Sequence, residues 1–291
     1  MRTALLRAIY TASLVALPLG CDHTPSPAPT GYEQCEASAD GIGRTYYGRE
    51  IAAFMSHQGI YWLERGTRES EERTDLLMDA LDLKPGMTVA DIGAGSGYFT
   101  VPMAKRVAPG IVYGTDIQPE MLAFLEARAR TEKLTNIKGI LGDTGDAMLP
   151  VASVDLVLLV DAYHEFDQPL EMMTSIARAL KPGGRVALVE YRGEDPEVPI
   201  KPLHKMTEAQ ARRELEAAGL VWIRTDARLP LQHLMWFGKV SPDAGPAGVL
   251  RLRKQRVDNV SFDIRQAVIA ALRSVRQALV IKAQEVQHGG M

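Results

Sequence analysis

The chain has 291 residues, 46% hydrophobic, 24% charged and 6% aromatic, with a formal net charge of −3. That length supports one large domain with appendages and a sizeable core, the apolar fraction excludes a mainly disordered protein, and the charge argues against a dedicated nucleic-acid binder. Two cysteines, Cys21 and Cys35, exclude a disulfide-rich scaffold and most Cys-based zinc sites.

The first predicted element is an address label. Arg2 and Arg7 precede twelve uncharged, mostly apolar residues, Ala8 to Leu19, too short to cross a bilayer and the right size for a secretory signal. Gly20-Cys21 and a Pro-rich stretch from Thr24 to Thr30 follow. Residues 1–20 therefore read as a signal peptide and 21–45 as a linker. The leader resembles a bacterial lipoprotein signal, which implies lipidation of Cys21 and an exported, membrane-anchored protein, although Pro18 stands where such signals prefer Leu. An ordinary cleaved signal with a Cys21–Cys35 disulfide, an uncleaved anchor, or a domain on the cytoplasmic face are the alternatives.

Residues 46–85 are expected to be helical, with Leu76, Leu77, Ala80 and Leu81 at helical spacing and Arg68 to Arg73 on a solvated face. Tyr46, Tyr47, Phe54, Trp62 and Arg65 in this segment suit either a lid or a packed accessory helix. Strands and helices then alternate. Strands are expected at 88–92, 111–115, 136–141, 154–160 and 185–191, and helices at 98–107, 119–134 and 168–180. A helix capped by Thr207 runs to Gly219, and 220–225 and 233–240 make a final strand pair. The run VDLVLLV at 154–160 is what a strand buried on both faces requires. This rhythm specifies a doubly wound α/β sheet. After the linker 241–249, Ile264, Val268, Leu272, Val275 and Leu279 form the apolar stripe of a basic amphipathic helix. Residues 241–291 carry eight Lys/Arg against four Asp/Glu, a balance of +4 that leaves −7 on the rest. Such a tail suits an anionic membrane surface, a partner helix, or docking on the body.

Where the first strand of the alternation turns into the next helix, the chain reads Asp91-Ile92-Gly93-Ala94-Gly95-Ser96-Gly97, and Asp116 ends the second strand. Glycines there let the backbone approach a ligand closely, and the acid is placed to accept from ribose hydroxyls. The glycine spacing differs from G-x-G-x-x-G and so disfavours a nicotinamide-dependent oxidoreductase.

DIGAGSGYF, YGTDIQPEML, VDLVLLVDAYHEF and ALKPGGRVALVEY, in that order, resemble a class I S-adenosylmethionine-dependent methyltransferase over residues 86–240. The resemblance implies a seven-stranded Rossmann-like sheet in the order 3-2-1-4-5-7-6 with the last strand antiparallel. It implies that Asp91, Gly93, Gly95 and Gly97 hold the methionine part of the cofactor, Asp116 the ribose and Ile117 the ring face. Asp143, with Thr144 as its rival, would meet the adenine amino group.

In such a sheet the ligand crevice lies beyond the carboxyl ends of the parallel strands. Tyr163, His164 and Glu165 after the fourth strand, and His233 opening the last, are the candidate catalytic residues, with His204 expected to converge on them. His164 follows the fourth strand, where the resemblance places the transferring methyl. Its neutral imidazole could take a proton from the nucleophile while Glu165 fixes its orientation. Glu194, Asp195 and Glu197 suit either a basic substrate or a solvated loop. Three histidines and Glu165 could hold a metal, yet none is expected, because no i, i+4 or CxxC spacing supports one. The expected activity is methyl transfer to a small-molecule acceptor, without nucleic acid and with the oligomeric state open. A nucleoside-binding module without turnover is the alternative.

Overall fold

The computed structural model describes residues 31–239. The signal peptide, Cys21 and the basic tail helix lie outside the described residues. Among the described residues no helix is long and apolar enough to cross a membrane.

The described chain begins with three short strands, β1 (Tyr32–Gln34), β2 (Gly41–Tyr46) and β3 (Arg49–Ala52), paired antiparallel in that order. The expectations of a linker to residue 45 and a helix from 46 give way here. Tyr47 and Gly48, with φ of 48° and 84°, make the two-residue turn that joins β2 to β3. Positive φ at both central positions matches the right-handed twist of a hairpin, and Gly48 adopts it without strain. Helices follow only as short pieces, α1 (Ile60–Leu63), α2 (Arg68–Glu72) and α3 (Thr74–Ala80). Arg73 in the left-handed region separates the last two.

From residue 89 the expected alternation holds, except that the strand expected at 185–191 already begins at Leu180. The elements are β4 (Val89–Ile92), α4 (Thr100–Val107), β5 (Val112–Asp116), α5 (Pro119–Thr131), β6 (Ile137–Leu141) and β7 (Val154–Val160). They continue with α6 (Pro169–Ala179), β8 (Leu180–Tyr191), α7 (Glu208–Ala217), β9 (Leu220–Asp226) and β10 (Gln232–Lys239). The seven-stranded sheet runs β6-β5-β4-β7-β8-β10-β9, with β10 antiparallel to both neighbours. In sheet-strand numbering that is 3-2-1-4-5-7-6. β7 explains its own sequence: Val157 and Leu159 enter the core on one face, Leu156 and Leu158 the core on the other. A central parallel strand has no solvated side on which to place polar residues.

Parallel registry brings the carboxyl ends of β4, β5 and β7 level, with Ile92 beside Thr115 and Leu159. The small antiparallel sheet is fastened near that end by charge. Arg49 of β3 makes a two-pronged bond to the fully buried Glu214 of α7, 2.8 Å on each prong. Tyr163 Oη and Gln210 Nε2 donate to the same carboxylate. Removing one partner of such a pair strands the other charge in the interior, at a cost of about 3–5 kcal/mol. Arg49→Ala should lower the unfolding free energy by that amount in a urea titration. A loss of only about 0–1 kcal/mol, the worth of a solvent-exposed pair, would contradict the assignment.

Candidate active site

One large cavity, about 920 Å³, opens over the carboxyl ends of β4, β5 and β7. Its floor at one end is the glycine turn. Gly93 and Ala94 donate their N–H groups to Thr115 O, and Gly95 N donates to Asp116 Oδ2 at 3.0 Å, so the turn is tied to the end of β5. Asp116 Oδ1 accepts from Gln118 N at 2.9 Å. A carboxylate has about four lone-pair sites, so acceptor capacity remains for a ligand. Burial pushes the Asp116 pKa above its ordinary value.

The candidate cofactor residues divide into two sets. Gly93, Gly95, Asp116, Ile117 and Thr144 line the cavity. Asp91, Gly97 and Asp143 do not. Asp91 lies beneath the turn, where its Oδ2 accepts from Thr100 Oγ1 at 2.6 Å. Gly97, at φ 80°, is shaped by packing instead: a Cβ there would lie 2.5 Å from Leu125 Cδ1 of α5. Asp143 is exposed and caps Thr144 N through its Oδ1, leaving Thr144 and Gly142 on the cavity wall.

Phe54, Met55, Tyr61, Trp62 and Leu63 cover the cavity from the N-terminal side. A Cβ on Gly95 would lie 2.7 Å from Leu63 Cδ1, so the glycine also admits the cover. Ser96 Oγ donates to Glu64, Gln118 Nε2 donates to Met55 O and Gln118 Oε1 accepts from His57 N, which fix this segment against the turn and the end of β5. Of the five residues named for this segment, Phe54 and Trp62 line the cavity and Tyr46, Tyr47 and Arg65 do not. Arg68, almost fully buried, pairs with Glu72 at 3.0 Å, and both line the cavity.

At the other end, the turn after β7 carries Asp161 to Glu165. Asp161 sits at φ 49°, rare for a residue with a Cβ. Its Oδ2 accepts from Gln232 Nε2 at 2.7 Å while Oδ1 is buried without a hydrogen-bond partner. Burial, with the Glu72 and Glu190 carboxylates nearby, holds the Asp161 pKa well above its ordinary value. His164 is buried, and its Nδ1 lies 2.6 Å from Glu190 Oε2 of β8. Glu190 Oε1 also accepts from the N–H groups of Tyr163 and His164, at 2.9 and 3.3 Å. Burial opposes the imidazolium, but the Glu190 charge and hydrogen bond outweigh it and raise the His164 pKa.

The orienting acid is therefore Glu190, not Glu165. Glu165 Oε2 accepts from Met55 N at 3.1 Å, and its Oε1 lies 3.8 Å from His164 Nε2. His204 converges as expected, its Nδ1 3.1 Å from His164 Nε2. Its pKa is lowered by burial and by the neighbouring His164 charge. Two candidates do not take part. His233 bonds Glu194 at 2.8 Å and lies off the cavity, and Tyr163 turns its hydroxyl to Glu214. Glu194, rather than contacting a substrate, accepts from Glu208 N and pairs with His233. Glu190 and Asp161 were not singled out as site residues by sequence, and Arg68, expected on a solvated face, is buried against Glu72 instead. For Glu190 the signal existed: a lone acid inside the apolar run VALVEY needs a buried partner.

Residues 90–188 match the family described as Methyltransferase domain. Nocamycin O-methyltransferase of Saccharothrix syringae is 34% identical over 113 residues, 38% of this chain and 40% of that protein. The tRNA (adenine(58)-N(1))-methyltransferase of Thermus thermophilus is 29% identical over 203 residues, 68% of this chain and 76% of that protein. The structure of a SAM-dependent methyltransferase from Aquifex aeolicus superposes with a TM-score of 0.61 at 24% identity, over 64% of this chain and 100% of that one. The chain spans less than half the length of several curated relatives that it matches. The sheet is thus the Rossmann-like fold of that methyltransferase structure, and its central part matches the methyltransferase-domain family.

Burial lifts the Asp91 pKa from 3.8 to about 6, with the Thr100 bond opposing the rise. A carboxyl whose folded pKa is raised stabilises the fold most below its unfolded pKa, and that contribution is lost as pH rises through about 6. At ~1.4 kcal/mol per pKa unit, the loss is of order 2–3 kcal/mol. Asp91→Asn keeps an acceptor for Thr100 and should raise the melting temperature at pH 8 relative to the parent more than at pH 4. An equal effect at both pH values would count against the buried charge.

Proposed function

We propose that the protein transfers the methyl group of S-adenosylmethionine to a small, largely apolar molecule carrying one polar nucleophile. The observation that carries this reading is that one cavity joins the glycine turn and Asp116 to His164, His204 and Glu165. Its volume lies near the top of the ~300–1,000 Å³ usual for ligand pockets, room for a cofactor beside a small acceptor.

The residues present fit the cofactor. Asp116 has free acceptor capacity for ribose hydroxyls. The orphaned Asp161 Oδ1 asks for a cationic donor such as an α-ammonium, and Arg68 supplies a cation for an α-carboxylate. Ile117 and Thr144 stand where an adenine ring would need an apolar face and a polar edge. The bound cofactor would supply an electrophilic methyl on a sulfonium. This chain's own part is to bind, align and keep out water. Phe54, Trp62 and Leu63 narrow the mouth of the cavity, Ile42, Phe166 and Ile200 offer apolar surface to an acceptor, and His164 lies on the wall that its nucleophile would face. Alignment in a water-poor site supplies much of such a rate.

Loss of the ribose acceptor in Asp116→Ala should weaken cofactor binding by about 1–3 kcal/mol, the worth of hydrogen bonds to a charged group, in calorimetry with S-adenosylhomocysteine. Transfer of a labelled methyl group to members of a panel of phenols, thiols and amines separates the enzyme from a binding module. Unchanged affinity in Asp116→Ala would overturn the cofactor placement.

The location is part of the proposal. The basic and apolar leader, Gly20-Cys21 and the Pro-rich linker support an exported lipoprotein anchored through Cys21. The mature N-terminus should then be a modified Cys21 by mass spectrometry, and Cys21→Ser should leave the membrane fraction. An intact Met1 leader, or an unmodified Cys21, would refute the anchor.

A further inference from the structure

Three metal-ligating atoms meet on the cavity wall: His164 Nε2, His204 Nδ1 and Glu165 Oε1. Their separations are 3.1 Å between the two nitrogens and 3.8 Å from each nitrogen to the oxygen. The circle through three points so spaced has a radius of about 2.1 Å. A single atom at its centre is therefore as far from each donor as zinc is from imidazole nitrogen and carboxylate oxygen, roughly 2.0–2.2 Å.

The orientation of the ring points the same way. Glu190 Oε2, 2.6 Å away, turns His164 Nδ1 toward the sheet and leaves Nε2 directed at His204 Nδ1. A histidine that donates its far N–H to a carboxylate while its near nitrogen faces a second donor set is the usual support of a metal-bound imidazole. Two imidazole nitrogens and a carboxylate oxygen make an attractive set for a cation. Imidazole donors select zinc, cobalt, iron or nickel over magnesium and calcium.

We propose that His164, His204 and Glu165 bind one divalent transition-metal ion of the zinc type, with Glu190 holding His164 as its supporting acid. The remaining coordination positions belong to the cavity, which all three residues line. Sequence spacing does not favour the site because His204 stands 40 residues from His164, in a separate turn, with no local pattern to announce a metal. The binding site stands on geometry alone. Its consequence for substrate rests on the methyl-transfer reading: an ion here draws the proton from a coordinated thiol or hydroxyl of the acceptor and releases it to solvent. That narrows the acceptor to thiols and hydroxyls.

The test uses the full chain, stripped with a chelator and titrated with Co²⁺. One Co²⁺ per chain should bind and show visible ligand-field bands, and Zn²⁺ should displace it and abolish them. His204→Ala and Glu165→Gln should each weaken Co²⁺ binding by at least about tenfold, and Glu190→Gln by roughly 10–100-fold although it is not a ligand. Circular-dichroism melts of the variants show that they remain folded, and His204, in an exposed-side turn, is the variant that least disturbs the core. Substoichiometric or band-free binding, or parental affinity in His204→Ala, overturns the site. The two readings fail separately. If the stripped protein binds S-adenosylhomocysteine and transfers methyl groups at the parental rate, the ion's part in the transfer is refuted, the transferase stands, and His164 is the base. If Co²⁺ binds with its bands while S-adenosylhomocysteine does not bind, the site stands and the transferase falls.

Discussion

The Glu190 carboxylate, with no exposed surface, is the group around which the reactive end of the cavity is arranged. An ionised carboxyl inside a sheet is tolerable only when its oxygens are occupied by donors. Three donors are present, and all come from the two residues of the turn after β7: the N–H of Tyr163, the N–H of His164 and the His164 ring. One acid on β8 therefore sets the path of the neighbouring connection as well as the rotation and tautomer of the imidazole within it. His204 and Glu165 take their places relative to a ring that is already fixed. Arg49, by donating to His164 O at 3.1 Å, ties the same turn to the small N-terminal sheet.

The sheet was legible because its signals are local. A glycine turn after a strand and an uninterrupted apolar run each announce a single element, and their order fixes strand positions. The N-terminal sheet was not legible in the same way. Its hairpin depends on Tyr47 taking a positive φ that most residues with a Cβ avoid, and the aromatic and charged residues around it match a helix face equally well.

The site shows the same division. Gly93, Gly95 and Asp116 could be placed from strand ends alone, since a strand end has a position in the sheet before any side chain is considered. Gly97 and Asp91 could not, because their roles depend on Leu125 and Thr100, which approach from helices whose rotation the sequence does not state. Among the histidines, His204 and His233 looked equivalent as strand-end neighbours. They separate because Glu194 lies within reach of one and His164 within reach of the other.

The bond between Arg49 and Glu214 spans 165 residues of chain. During synthesis the cover of the cavity is therefore made first and fastened last, after nearly the whole sheet has emerged. Contacts of such long sequence separation delay the rate-limiting step of folding. Until α7 arrives, the apolar side chains of Phe54, Trp62 and Leu63 have no finished cavity to close. A fragment cut at residue 86, where the alternating sheet begins, would keep every strand of that sheet and lose one whole wall of the binding space.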